Sequence, residues 1–374
     1  MKILLVGNYI HSQQQSMQRY ADLLHELLTA AGHEVRLLKP VPWLGNFKPS
    51  EVGLGKWLGY ADRFVVFRWH LHRAARWADV VHVCDHSNAM YAGMLGNKPH
   101  VVTCHDLLAV RSALGEIPGR ATGFSGRIFQ RLIFSGLQRA QHVVCVSEQT
   151  RAELQRLSGL PADRCSVVLN ALNYPYQPMA AHMARERLVR LGATEPWPFF
   201  VHIGGNQWYK NRVGVVRLFA QLAALPQYQH HHLVLGGKPW PGDLRTLVQG
   251  SGLAARIHGW TELDNEDLRA LYSSAEALLF PSLQEGFGWP IAEAQACGCP
   301  VVTTGRAPMT EVGGNAAVYI DPDNMADAAA VMVPALAARQ AMVTAGLKNA
   351  ERFAGATMMA GYLNAYQCVQ EKSL

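Results

Sequence analysis

The chain contains no apolar run approaching the roughly 18 residues needed to cross a bilayer as one helix. Its opening, MKILLVG, is apolar for only a few positions before Asn8, which reads as a buried first strand rather than a signal peptide. Charge is scarce, at 17% of 374 residues, while 49% are hydrophobic, so the composition is that of a globular protein. The seven cysteines include no CxxC pair, and with their odd number this argues for reduced thiols in the cytosol. Gly204-Gly205 and Gly236-Gly237 are not GxGxxG, which disfavours a nicotinamide enzyme. Neither His230–His232 nor Asp321-Pro322-Asp323 has the spacing of a closed metal site. Pro322 fits a turn there. Tandem repeats and low-complexity tracts are missing too.

What is present is a parallel α/β pattern written twice. KILLVG is a continuous apolar run, as in a strand covered on both faces; a helical pattern through Leu23, Leu24, Leu27 and Leu28 follows, then Gly32 and EVRLL. Strand-like runs recur at DVVHV, HVVTC, HVVCV and SVVLN. Prolines and lost periodicity across NALNYPYQP (170–178) mark a linker, after which FFVHIGG, HLVLGG, ARIHG, EALLFPS and CPVVTT repeat the pattern. Helices are expected at 211–224, 241–250, 265–274 and 290–297. The length favours two domains, and two doubly wound halves would hold a ligand crevice outside the C-terminal strand ends. From about Ala356, Met359, Leu363 and Tyr366 predict an amphipathic last helix.

The charge is lopsided. Residues 1–175 hold 19 Lys+Arg against 12 Asp+Glu, and the remainder 15 against 16, so the first half suits an anionic partner or surface. Its stretch from Trp43 to Trp77 mixes Lys48, Lys56, Arg63, Arg68, Arg73 and Arg76 with Phe47, Trp57, Tyr60, Phe64 and Trp69. Such mixtures suit the headgroup region of an anionic membrane, although a core helix with solvated arginines reads the same way.

The densest chemistry lies in PSLQEGFGWPIAEAQACGCP (281–300). Glu285 and Glu293 stand eight positions apart across a glycine-rich turn and the helix it opens. Amides of Gly286, Phe287 and Gly288 would lie where a helix begins, a place that favours phosphate. A carboxylate before the turn can accept from sugar hydroxyls, and one two helical turns on can reach a ribose. Lys210, in GGNQWYKNR after the first strand of the second half, is placed to neutralise charge building on a leaving diphosphate. His105, in TCHDL, ends a strand of the first half; Asp106 is the better cap for the segment that follows. Asp85, also at a strand end, is an acceptor-site candidate, and Ser16 a candidate N-cap for a helix N-terminus that could hold phosphate.

The 281–293 segment resembles the E-x7-E signature of the retaining GT-B glycosyltransferases, family 4. DVVHV, TCHDL, VVCVSEQTRAEL, VVLNALN, YKNR, LRALYSSAEALLFPSLQEGFG and CPVVTTG match that family's landmarks in order. The resemblance implies two Rossmann-like domains facing an interdomain cleft: residues 1–172 for the acceptor, 173–355 for the nucleotide sugar, and 356–374 crossing back to the first. It implies metal-independent transfer of a hexosyl unit from a UDP- or GDP-linked sugar to a glycan or lipid-linked acceptor, with retention. It implies neither a cofactor nor a nucleic-acid partner, and the expected location is cytoplasmic, at the inner face of the membrane. By the resemblance Glu285 contacts the donor sugar, Glu293 the ribose, and His105 positions the sugar near its reacting carbon.

Two departures stand out. The family arginine near the lysine is replaced by Tyr209 and Gly204, leaving Arg212 or Asn206 to substitute; the family's glycine pair in the first loop is Gln15 and Ser16. Trp289 replaces an aliphatic residue and reads as packing. The altered loop keeps a non-catalytic nucleotide-sugar-binding subunit open as an alternative. A GT-B isomerase or phosphorylase is the other.

Overall fold

The computed structural model describes residues 1–9, 15–43, 58, 62–193, 197–324 and 327–372. The chain divides into two compact units, Met1–Asn173 with Gly355–Leu374, and Tyr174–Ala354. Each is built on a six-stranded, wholly parallel sheet.

The first unit contains β1 (Lys2–Val6), β2 (Glu34–Leu38), β3 (Val80–Val83), β4 (His100–Cys104), β5 (His142–Cys145) and β6 (Cys165–Val167), in the order β2-β1-β3-β4-β5-β6. Strands β3, β4 and β5 are buried along their whole length, which is why they read as unbroken apolar runs. On one face Leu4, Val6, Val81, Val83, Val102 and Val143 pack against Phe67, Leu71 and Ala75 of the helix Phe67–Trp77, and against Ile133 and Leu137 of Phe124–Arg139. The second of these helices sits so close that a Cβ on Gly136 would lie 2.2 Å from the Ala89 carbonyl oxygen. Glycine is required by the backbone approach itself.

The helix Gln15–Ala30 and the last helix, Gly355–Glu371, belong to this unit too. The last helix buries Met358, Tyr362, Ala365, Tyr366 and Val369. Tyr366 is inward as expected, but Met358 and Tyr362 take the core positions expected of Met359 and Leu363. The cause is polar: His82 and Thr103, fully buried on β3 and β4, need hydrogen-bond partners. The His82 ring bonds Tyr366 Oη and Thr103 Oγ1, both at 2.7 Å, and Thr103 Oγ1 lies 2.9 Å from Tyr362 Oη and 3.1 Å from Tyr20 Oη. Tyr20 Oη also donates to Tyr362 Oη. Burial lowers the His82 pKa to about 3, so the ring is neutral.

The second unit contains β7 (Phe199–Gly204), β8 (His232–Gly237), β9 (Ile257–Thr261), β10 (Leu278–Phe280), β11 (Val301–Thr304) and β12 (Ala317–Ile320), in the order β12-β11-β10-β7-β8-β9. The strand order reverses between β7 and β10, so their C-terminal ends flank the crevice where such sheets bind ligands. The expected helices fall at Arg212–Ala223, Gly242–Gly250, Asn265–Ser274 and Trp289–Ala296.

Candidate functional site

The switch point of the second unit collects most of the candidate residues. After β7 the chain makes a short turn, Trp208–Lys210, and Asn211 takes a left-handed conformation (φ 53°). Asn211 caps the next helix by accepting from the Gly214 amide, and its Nδ2 donates to Pro281 O at 3.0 Å. The Leu283 amide donates to Tyr209 O at 2.7 Å. These two bonds stitch the turn after β7 to the turn after β10. Lys210 and Glu285, far apart in sequence, are thereby opposed: Nζ lies 2.7 and 2.9 Å from the two carboxylate oxygens. The side chains are 18% and 8% exposed, so the pair is largely withdrawn from water.

Gly286, Phe287 and Gly288 then lead into the helix Trp289–Ala296. Gly288 has φ 105°, a conformation that favours glycine, and no side chain caps the helix. The Phe287 ring is buried against Phe353 and Trp289, so the tryptophan at 289 contributes to packing. Two turns on, Glu293 is 6% exposed and accepts from Tyr272 Oη at 2.9 Å. Burial first, then the nearby Glu293 charge, holds the Tyr272 hydroxyl pKa well above its ordinary value.

Arg212 is 5% exposed. Its Nη1 donates to Asn206 Oδ1 and Lys238 O, while Nε and Nη2 are buried without a hydrogen-bond partner. Burial lowers its pKa to about 10. Asn206 is otherwise engaged through Nδ2 with Pro239 O at 2.7 Å. Nearby, His202 on β7 uses Nδ1 on Leu279 O at 2.8 Å and leaves Nε2 buried without a partner. A Cβ at Gly204 would lie 3.0 Å from that Nε2. Burial lowers the His202 pKa to about 3, so the ring is neutral. Sequence reasoning missed both His202 and Tyr272. The only signal was a polar residue interrupting FFVHIGG.

In the first unit, His105 follows β4 and is 4% exposed. Its Nε2 lies 2.9 Å from Cys84 O and must donate, since a carbonyl only accepts; Nδ1 is therefore the acceptor nitrogen. The Tyr20 ring stands edge-on to it at 4.6 Å. Burial outweighs the Asp85 charge and lowers the His105 pKa. Asp106 accepts from the Leu108 amide at 3.0 Å, so it does cap the segment that follows.

Asp85 is 1% exposed and holds its surroundings together. It accepts from Asn8 Nδ2, the Ser87 amide and Ser87 Oγ, and pairs with His86 Nδ1 at 3.1 Å. Burial pushes its pKa up, but His86 and these donors win and hold the carboxyl well below its usual range. The His86 pKa is raised in turn, against the lowering effect of burial. Ser16 lies inside the first turn of the helix that begins at Gln15, not before it as an N-cap. The rest of the first loop, residues 10–14, and much of the aromatic stretch, residues 44–57 and 59–61, lie outside the described residues. Asp321 accepts from the Asp323 amide, closing a local turn, and His232 pairs with His258 beneath Trp197. Among the described residues no three His, Cys, Asp or Glu side chains cluster as a metal site would require.

Known proteins carry the same two-part organisation. Residues 17–174 match the family described as Glycosyltransferase Family 4, and residues 198–338 match Glycosyl transferases group 1. An O-antigen chain mannosyltransferase B from Escherichia coli is 28% identical over 351 residues, covering 90% of this chain and 89% of its own. A D-inositol 3-phosphate glycosyltransferase from Xylanimonas cellulosilytica is 30% identical over 272 residues, 69% of this chain and 62% of its own. Among solved structures, sucrose-phosphate synthase from Thermosynechococcus elongatus superposes with a TM-score of 0.76 at 20% identity, covering 98% of each chain. Anabaena HepE, solved with UDP and glucose, gives 0.71 at 16% identity over 97% of this chain and 98% of its own. With two parallel six-stranded sheets and both family matches in order, the chain belongs to the group 1, family 4 glycosyltransferases of the GT-B fold.

Proposed function

We propose that this chain is a retaining hexosyltransferase that moves a mannosyl unit from a nucleoside-diphosphate sugar to a hydroxyl of a growing glycan. The observation that carries the reading is the Lys210–Glu285 pair at the β7/β10 switch point. The mannosyl assignment draws on the E. coli relative's printed name, and a GDP-linked donor is favoured over a UDP-linked one on that ground alone.

The electrostatics divide the work. Lys210 is already compensated by Glu285, so the pair on its own adds little net charge. A diphosphate needs further positive partners, and Arg212 has two guanidinium nitrogens without one. The amides of Gly286, Phe287 and Gly288 at the helix start add uncharged donors. When the leaving diphosphate gains charge, Lys210 shifts toward it and Glu285 turns to the sugar hydroxyls. The interaction is then stronger in the transition state than in the ground state, which is what accelerates transfer. Glu293, oriented by Tyr272, takes the ribose, and Asn206 holds Arg212 in place.

The acceptor, a glycan carried on a lipid, belongs to the first unit. There Asp85 acts by positioning Asn8 and His86; for the donor, His105 offers Nδ1 to a hydroxyl of the sugar near its reacting carbon, and Ser16 lies at a helix start suited to the donor's phosphate. Peripheral contact with an anionic membrane at its cytoplasmic face completes the reading.

The test is transfer from GDP-mannose and from UDP-hexoses to a lipid-linked glycan, with the product's anomeric configuration read by NMR. Glu285→Ala and Lys210→Ala should each lower the rate by at least about a hundredfold, typical of one lost transition-state contact. An unchanged rate in Glu285→Ala sinks the site, and nucleoside diphosphate released equally without acceptor sinks the transferase.

A further inference from the structure

Two helices of the first unit show the same unusual surface. From Arg63 to Ala78 there is no carboxylate, and the segment carries Arg63, Arg68, Arg73 and Arg76. From Ile117 to Ser147 there is again none, with Arg120, Arg127, Arg131 and Arg139. Of the flanking acids, Asp62 is buried, Glu116 pairs with Arg111 and Arg156, and Glu148 pairs with Arg151. Asp79 lies past the end of the helix Phe67–Trp77, where it accepts from the Lys2 amide. Arg68, Arg73, Arg127 and Arg131 form no ion pair among the described residues.

The apolar side chains between these arginines point outward. On the helix Phe124–Arg139, Phe124, Ile128 and Leu132 recur every fourth residue and are 74%, 45% and 46% exposed. Beside the helix Phe67–Trp77, Val65 and Trp69 have the same spacing and are 68% and 78% exposed. Trp43, 64% exposed, packs its ring near His70. The large exposed aromatics among the described residues are Trp43, Trp69 and Phe124, and all belong to this surface. Both helices bury their opposite stripes in one core on one side of the sheet, and the Arg63 guanidinium lies 5.3 Å over the Phe129 ring between them.

We infer that these outward stripes form one membrane-docking surface for anionic phospholipid, with the helix Phe124–Arg139 as a main insertion element. This rests on the proposed lipid-linked acceptor and adds where the bilayer is gripped. Isolated exposed apolar residues are ordinary, but a periodic row flanked by arginines without carboxylates is complementary to an anionic interface. Arginine stems lie along the apolar zone while their heads meet phosphate. A protein partner would need acids to answer this surface, whereas a leaflet supplies them as a continuous layer.

The experiment is flotation of the full chain with phosphatidylcholine vesicles containing about 30% phosphatidylglycerol, against pure phosphatidylcholine, at low and high salt. Binding should need the anionic lipid and weaken with salt. The triple substitution Phe124→Ser, Ile128→Ser, Leu132→Ser, and separately Arg127→Glu with Arg131→Glu, should each reduce partitioning by at least about tenfold. Both variants should keep the wild-type melting temperature and nucleoside-diphosphate shift, since these residues lie outside the donor site. The inference is overturned if the wild type ignores anionic vesicles, or if both variants bind as it does. It is also overturned if light scattering shows a dimer that the triple substitution dissociates. Loss of vesicle binding with transfer to a water-soluble acceptor intact implicates the surface alone. Vesicle binding without any transfer sinks only the transferase reading.

Discussion

Replacing Arg212 by methionine should separate stability from ligand binding. In the folded protein the guanidinium is 5% exposed, and its pKa falls from the ordinary 12.5 to about 10 through burial. The sign follows: below pH 10 the charged form is less favourable in the folded chain than in the unfolded one. At about 1.36 kcal/mol per pKa unit the shift corresponds to at most about 3–4 kcal/mol. Screening by nearby solvent reduces it to about 1–2 kcal/mol. Methionine keeps much of the volume and removes that burden, together with the unpartnered Nε and Nη2. It also forfeits the bonds to Asn206 Oδ1 and Lys238 O, of which the exposed Asn206 is readily rehydrated. That loss is about 1 kcal/mol. The ligand-free variant should therefore melt at the wild-type temperature or up to about 5 °C higher. Its nucleoside-diphosphate affinity should drop about 10–100-fold, the value of a charge-assisted bond. Thermal unfolding with and without GDP and UDP reads both quantities. A ligand-free melting point lowered by several degrees, with an unchanged nucleotide shift, would refute the reasoning and make Arg212 a structural residue.

Two further outcomes follow from the buried groups. His82 and His202, each with a pKa near 3, remain neutral when folded, whereas in the unfolded chain they take up protons below about 6.5. Stability is therefore fully present above pH 6.5 and falls as pH drops toward 3, by roughly 2 kcal/mol per histidine at pH 5. Urea denaturation at pH 7 and pH 5 should show this loss, and His82→Gln should shrink it; an equal loss in the variant contradicts the assignment. Gly136→Ala drives a Cβ to 2.2 Å from the Ala89 carbonyl oxygen and 2.5 Å from the Met90 amide nitrogen. It should destabilise the first unit by about 3 kcal/mol or more, because neither backbone atom can swing aside. A melting temperature within about 2 °C of wild type would show that the two segments can part.

The fold was legible because its strands are buried on both faces: HVVTC, HVVCV and HLVLGG cannot be surface elements, and they recur at parallel α/β spacing. Glu285 and Glu293 were singled out as candidates by their glycine-rich turn. The Lys210–Glu285 contact was not readable from residues alone, because it depends on Asn211 reaching Pro281 across the sheet. Asp85 stood out as an acid at a strand end, but its burial and four partners are properties of the surrounding loops. On the last helix Tyr366 was read correctly as inward, while Met359 and Leu363 were chosen over Met358 and Tyr362 because the pattern alone does not show where the buried polar groups lie. Here two phenols face inward to satisfy a histidine and a threonine beneath them.

The return of residues 355–374 to the first unit has a consequence for synthesis. In chain order the second unit is an insertion, complete before the final helix leaves the ribosome. Until that helix arrives, His82 and Thr103 have no tyrosine cover from it, and one face of the first sheet stays wet. The half made first is thus the half finished last. A stalled nascent chain lacking its final twenty residues should yield to protease in the early segment while the later one resists.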